Sequence, residues 1–184
     1  MATAAPDAAR HPKQADLLAA LRDDPHVSLF LYGPQGCGKT HMGWLAYRQA
    51  IDEGRRAIGM TLAELLAQYR VWEKQPDVLP TIIPGELSAP RIAGAPGVLL
   101  FLDDVDKARP SAFTAEMLFR LVDAAYSNAH QVIVTSNFHP QRLAAHWSDG
   151  GEAYGPAIIR RLLEIENGFE VNLFPDKGEE TESQ

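Results

Sequence analysis

The sequence runs to 184 residues, 46% hydrophobic and 22% charged, with a formal net charge of −7. That is the make-up of about one soluble globular domain, and the acidic balance excludes a protein that grips nucleic acid by bulk charge alone. Apolar runs such as 27–32 and 98–102 are too short to span a bilayer, and a single cysteine, Cys37, excludes an internal disulfide and suits a reducing cytoplasm.

Residues 1–14 read as an Ala-rich arm without the apolar stretch of a secretory leader, and an amphipathic helix is expected at 15–21. The domain proper is assigned to 15–174, and the acidic run 175–184 to a disordered tail. A buried strand is expected at 27–32 and a helix at 41–51. Between them stands Gly33-Pro34-Gln35-Gly36-Cys37-Gly38-Lys39-Thr40-His41, which fits G-x-x-x-x-G-K-[ST] in the setting that gives the motif meaning. Backbone N–H groups of such a loop curl around phosphate oxygens, and the helix behind it adds the positive end of its dipole. Lys39 would neutralise β and γ oxygens and the Thr40 hydroxyl would hold Mg²⁺, so the expected ligand is a nucleotide with Mg²⁺.

A short strand at 57–60 leads into Thr61, a candidate N-cap for a helix through Trp72. Five prolines and three glycines in 73–97 forbid a long regular element there. The most apolar strand, 98–102, runs into Asp103 and Asp104, at the edge where open α/β sheets bind their ligands. Asp103 would orient Mg²⁺ and Asp104 would polarise the attacking water, while Asp106 reads as a solvated turn residue. A helix is expected at 111–127 and a strand at 132–135. After that strand Thr135, Ser136 and Asn137 follow, and the Asn137 amide is placed to sense a γ-phosphate. Helices at 141–147 and 156–165 and a strand at 170–174 complete an alternation that means a parallel sheet covered on both faces. No paired metal-ligand spacing or nucleophile elbow is visible among the histidines and serines.

The sequence resembles the AAA+ ATPases, and within them the DnaC/IstB-like helicase loaders and transposition ATPases. The resemblance runs from about Val27 to Phe174. It is carried by GPQGCGKTHMG, AIGMTLAELLAQYR, LLFLDDVD, IVTSNF and GPAIIRRLLE. It implies a P-loop NTPase three-layer αβα sandwich with the parallel sheet in 5-1-4-3-2 order. It also implies a homo-oligomer that hydrolyses ATP, with catalytic roles for Lys39, Asp104, Asn137 and Arg161. In such assemblies one subunit's arginine reaches the neighbour's γ-phosphate, and the spacing before Leu-Leu-Glu selects Arg161, with Arg160 the runner-up. A replicative helicase or a transposase on single- or double-stranded DNA is the implied partner.

The departures are as informative. Few residues follow Arg161, so an AAA+ core without a full helical lid is expected, and Ala125 stands where relatives often carry arginine. The segment between the second and third strands often lines the central channel in this group. Here it offers Tyr69, Arg70, Trp72, Lys74 and Arg91 to DNA, although Leu65, Leu66 and Tyr69 also share a helical stripe that packs inward. Two other readings stay open: an ATP-gated interaction module without hydrolysis, and a small-molecule kinase, for which neither acceptor pocket nor Arg-rich lid is seen.

Overall fold

All five residues of Leu99–Asp103 are buried, a state open only to a strand covered on both faces. Alternation along the strands shows which side chain goes to which face. Leu29, Leu31, Leu99, Phe101 and Ile133 belong to one apolar cluster, and Phe30, Tyr32, Leu100, Leu102, Val132 and Val134 to another. The computed structural model describes Leu17, Leu21, Asp23 and Asp24, residues 27–88, 97–148 and 154–164, and the backbone of 169–172. The proposed arm 1–14, the tail 175–184 and Arg91 lie outside the described residues.

In chain order the elements are β1 (Leu29–Tyr32), α1 (Lys39–Asp52), β2 (Ala57–Thr61), α2 (Leu62–Lys74), a 3₁₀ turn at Pro84–Ser88, β3 (Leu99–Asp103), α3 (Ala112–Ser127), β4 (Gln131–Ser136), α4 (Pro140–Ser148), α5 (Tyr154–Glu164) and β5 (Phe169–Asn172). The strands form one sheet in the order β2-β3-β4-β1-β5, and all four neighbouring pairs are parallel. Read from the other edge this is the expected 5-1-4-3-2. Helix α1 and the helical residues Leu17 and Leu21 cover one face, while α2, α3, α4 and α5 cover the other. The result is the three-layer sandwich. Among the described residues no helix is long and apolar enough to cross a membrane.

Local chemistry explains the joints. Thr61 closes β2 and caps α2 in one step: its hydroxyl accepts from the Glu64 backbone N–H, and the Glu64 carboxylate takes the Thr61 N–H at 2.9 Å. Ser111 and Thr114 form the same reciprocal cap on α3. At the amino edge of the sheet the buried Arg55 donates to Gln131 Oε1 at 2.7 Å, and Gln131 Nε2 donates to the Val27 carbonyl at 2.7 Å, tying the starts of three strands.

Observed boundaries shift by a residue or two from expectation: α1 begins at Lys39, α2 runs to Lys74, and β5 is seen at 169–172. As expected, the described part of the Pro-rich stretch holds no long regular element. Its 3₁₀ turn and the fully buried Ile82 and Leu87 pin it to the core beside α3.

The approach of α1 to the sheet depends on Gly43. A Cβ there would land on the Phe101 ring, which is fully buried and held edge-on by Trp44 at 5.2 Å. Gly43→Ala is therefore expected to cost about 2 kcal/mol through overpacking, lowering the melting temperature by roughly 5 °C in a calorimetric scan.

Candidate nucleotide-binding site

Parallel pairing brings the carboxyl ends of β1, β4 and β3 to one edge, and the loop after β1 is tied there by Gly33 N–H donating to the Ser136 carbonyl at 3.3 Å. The loop then turns into α1 through Gly38 at φ 92°, a left-handed conformation that a residue with a Cβ adopts only under strain. No side chain caps the amino end of α1, so its first N–H groups face the open loop.

Lys39 folds back across this loop. Its ammonium donates to the carbonyls of Gly33 and Pro34 at 2.9 and 2.8 Å and to Asn137 Oδ1 at 3.1 Å, with Cys37 Sγ at 3.8 Å. The side chain is buried, and among the described residues it has no carboxylate partner. A buried cation satisfied only by neutral dipoles leaves its charge uncompensated, and beside a helix amino terminus this is the electrostatics of an anion site.

Asp103 ends β3 with its carboxylate held by two hydroxyls: Thr40 Oγ1 donates to Oδ1 at 3.0 Å, and Thr135 Oγ1 makes a short hydrogen bond to the same oxygen. Thr135 also accepts from the Asp104 N–H at 2.9 Å through its hydroxyl, and from the Val105 N–H at 3.0 Å through its carbonyl. Asp104 follows at φ 54°, with Lys107 donating to its Oδ2 at 2.8 Å. That hydrogen bond is the main cause of a raised Lys107 pKa.

Beside these groups lies an open pocket of about 280 Å³, with Asp103 reaching it through its hydrogen bond from Thr40. Gln35, Gly36, Gly38, Lys39, Thr40, Asp104 and Asn137 from the sequence motifs line it, joined by Lys107. Gly33 and Pro34 serve the site through their carbonyls to Lys39, while Cys37 and His41 stay off its wall. The donors fit Mg²⁺. One hydroxyl and one carboxylate converge, and among the described residues no larger cluster of His, Cys, Asp or Glu is poised for a metal. A hard cation bound through one or two protein oxygens and the phosphates needs no more.

Several sequence expectations change. Asp106 is not a solvated turn residue: it is buried and accepts from the Asn137 backbone N–H at 2.8 Å and from Nδ2 at 2.9 Å. Tyr69 is fully buried, which pushes its hydroxyl pKa up, so it packs the core and is closed to DNA; Trp72 packs against the same cluster, while Arg70 and Lys74 stay exposed. Arg161 does not project freely from α5. Its Nε donates to Asp123 Oδ1 at 2.7 Å and its guanidinium lies 4.5 Å from the Tyr126 ring centre. Arg160 is the outward one, 64% exposed and only 3.5 Å from Glu164 on the same helix face. Neither arginine lines the pocket. Sequence reasoning gave no role to Thr135 or Lys107; the polar end of β4 and the DDVDK spacing were the available signals.

Comparisons with known proteins agree with this geometry. The model of the family described as IstB-like ATP binding protein matches residues 9–172. The putative ATP-binding protein of insertion sequence IS21 from Pseudomonas aeruginosa is 31% identical over 141 residues, which is 74% of this chain and 47% of the relative. The chain thus spans about half the length of that curated relative. Among solved structures, the DnaC helicase loader superposes with a TM-score of 0.66 at 19% identity, covering 92% of this chain and 94% of the other. AMPPCP-bound DnaA from Aquifex aeolicus gives 0.64 at 22% identity, covering 89% and 46%. These two likenesses carry the fold alone, a parallel sheet between two layers of helices. With the family match extending from before β1 to the last residue of β5, the chain belongs to the IstB-like ATP-binding proteins.

Proposed function

We propose that the protein is an ATPase that works as a homo-oligomer in the cytoplasm, switching a transposase or helicase-like partner on DNA. The observation that carries the reading is Lys39: a buried ammonium with no carboxylate partner, beside the Thr40–Asp103 pair and the Asn137 amide. In this reading Lys39 and the loop amides hold the β and γ phosphates. Thr40 and Asp103 hold Mg²⁺, which supplies charge neutralisation to the phosphates when bound. Asp104 orients the attacking water from the pocket wall and Asn137 reports whether the γ-phosphate is present. Catalysis of this kind needs little beyond positioned charge, and a cation from the neighbouring copy completes it. Arg160 suits that role, since it is already outside; Arg161 would first have to leave Asp123.

One observation favours a second reading, an ATP-gated module without turnover. The Lys107 ammonium donates to Asp104 Oδ2 at 2.8 Å, which draws charge away from the carboxylate that would polarise the attacking water. The test is ATP hydrolysis against protein concentration, with and without single-stranded DNA and with Lys39→Ala as the blank. A rate rising more than linearly with concentration, and further with DNA, is expected. A flat rate equal to the blank would discard the ATPase reading and promote the gated module.

A further inference from the structure

Asp106 and Asn137 lie 31 residues apart, on the turns that follow β3 and β4. Resting on the nucleotide-site reading above, we infer that Asp106 is a positioning residue that fixes the Asn137 amide in the one orientation able to read a γ-phosphate. Each carboxylate oxygen takes one N–H of Asn137: Oδ1 the backbone donor at 2.8 Å, Oδ2 the side-chain Nδ2 at 2.9 Å. The amide oxygen is thereby turned to the Lys39 ammonium at 3.1 Å.

The orientation follows from chemistry. A lysine ammonium only donates and a carboxylate only accepts, so the amide between them has a single arrangement in which neither contact is repulsive. Flipping it would set Nδ2 against the ammonium and Oδ1 against the carboxylate. A side-chain amide has two N–H donors, and Asp106 occupies one. The other is left to meet a phosphate oxygen or the attacking water. Asp106 is itself held: it is 8% exposed, and the Val105 N–H before it is pinned to the Thr135 carbonyl at 3.0 Å. Buried hydrogen bonds to a charged acceptor are the stronger kind, which makes this fork a firm constraint.

Without Asp106, Asn137 would keep Lys39 as its only side-chain partner among the described residues, and its amide would rotate. The diphosphate part of the site would remain, because Lys39 and the loop touch it without help from Asp106. The loss would therefore fall on discrimination between triphosphate and diphosphate.

The experiment is fluorescence titration of a non-hydrolysable ATP analogue and of ADP, each carrying the same fluorophore, into the full chain and its variants. The wild type is expected to favour the triphosphate. Asp106→Ala and Asn137→Ala are each expected to shrink that preference by about tenfold with ADP affinity little changed, and the double variant to lose no more than either alone. Asp106→Asn, which presents an amide donor to one N–H of Asn137, guards against misfolding: with ADP affinity and melting temperature retained, it too should lose preference.

A wild-type ratio in Asp106→Ala beside a collapsed one in Asn137→Ala would overturn the inference and leave the nucleotide site standing. Multiplying losses in the double variant, or no loss in Asn137→Ala, would overturn it as well. Nucleotide binding by the wild type no tighter than by Lys39→Ala would remove the site reading and this assignment together.

Discussion

Lys39→Ala is expected to lower ATP affinity by about a hundredfold or more, the scale of losing charge-assisted hydrogen bonds in a partly desolvated site. Lys39 is the one buried cation on the pocket wall, since Lys107 is exposed there and paired with Asp104. The folded protein is expected to survive. Lys39 itself lines the open pocket, so its truncation admits water that can replace the donor lost by the Gly33 and Pro34 carbonyls. Equilibrium titration with a fluorescent ATP analogue, alongside a thermal melt, separates the two effects. Lys39→Met, which keeps the length of the side chain and removes the charge, should lose affinity as fully. Retained affinity in either variant with an intact melt would mean that the loop is only a strand-to-helix turn.

Arg160→Ala is expected to reduce turnover by about a thousandfold while leaving ATP affinity unchanged, the signature of a cation that acts only in the transition state and from another subunit. The sequence motif selects Arg161 for this part, but the fold engages that residue internally. Its contacts to Asp123 and Tyr126 bind α5 to α3, with side chains 24% and 35% exposed in the ion pair. Arg161→Ala is accordingly expected to cost about 1–2 kcal/mol of stability, from a screened ion pair and a cation–π contact together. A mixing assay separates trans action from a structural fault. Arg160→Ala subunits keep a working pocket, and Lys39→Ala subunits keep the arginine, so combining two inactive preparations should restore turnover. No restoration, with both variants folded and assembled, would discard Arg160 as the shared residue. Full restoration with Arg161→Ala in place of Arg160→Ala would return the role to Arg161.

How far the sequence discloses this molecule depends on how local each determinant is. Strand β3 is legible because the five apolar residues of 98–102, between turn signals, leave few alternatives, and α2 because Thr61 and Glu64 carry the capping spacing themselves. The phosphate loop is legible for the same reason: its parts are contiguous. Asp106 is not. An aspartate three residues past a strand end ordinarily faces water, and its burial here follows from β4 lying beside β3, a pairing between distant segments. Thr135 was hidden likewise, since its hydroxyl matters only through the neighbouring turn it serves. Tyr69 is legible both ways: its aromatic and basic neighbours suggest a nucleic-acid track, and the helical stripe it shares with Leu65 and Leu66 takes it into the core, which is where it lies. For Arg160 and Arg161 the difference of one position is about 100° around a helix, and only the presence of α3 decides which of them is captured.

The placing of β4 between β1 and β3 has a mechanical consequence. Its end supplies the Ser136 carbonyl to the phosphate loop, the Thr135 hydroxyl and carbonyl to the acidic turn, and Asn137 to both Lys39 and Asp106. A slip of β4 by one residue, about 3.3 Å, would break every one of these ties at once. The phosphate loop, the acidic turn and the Asn137 amide therefore share one anchorage, and a single strand sets their positions relative to one another.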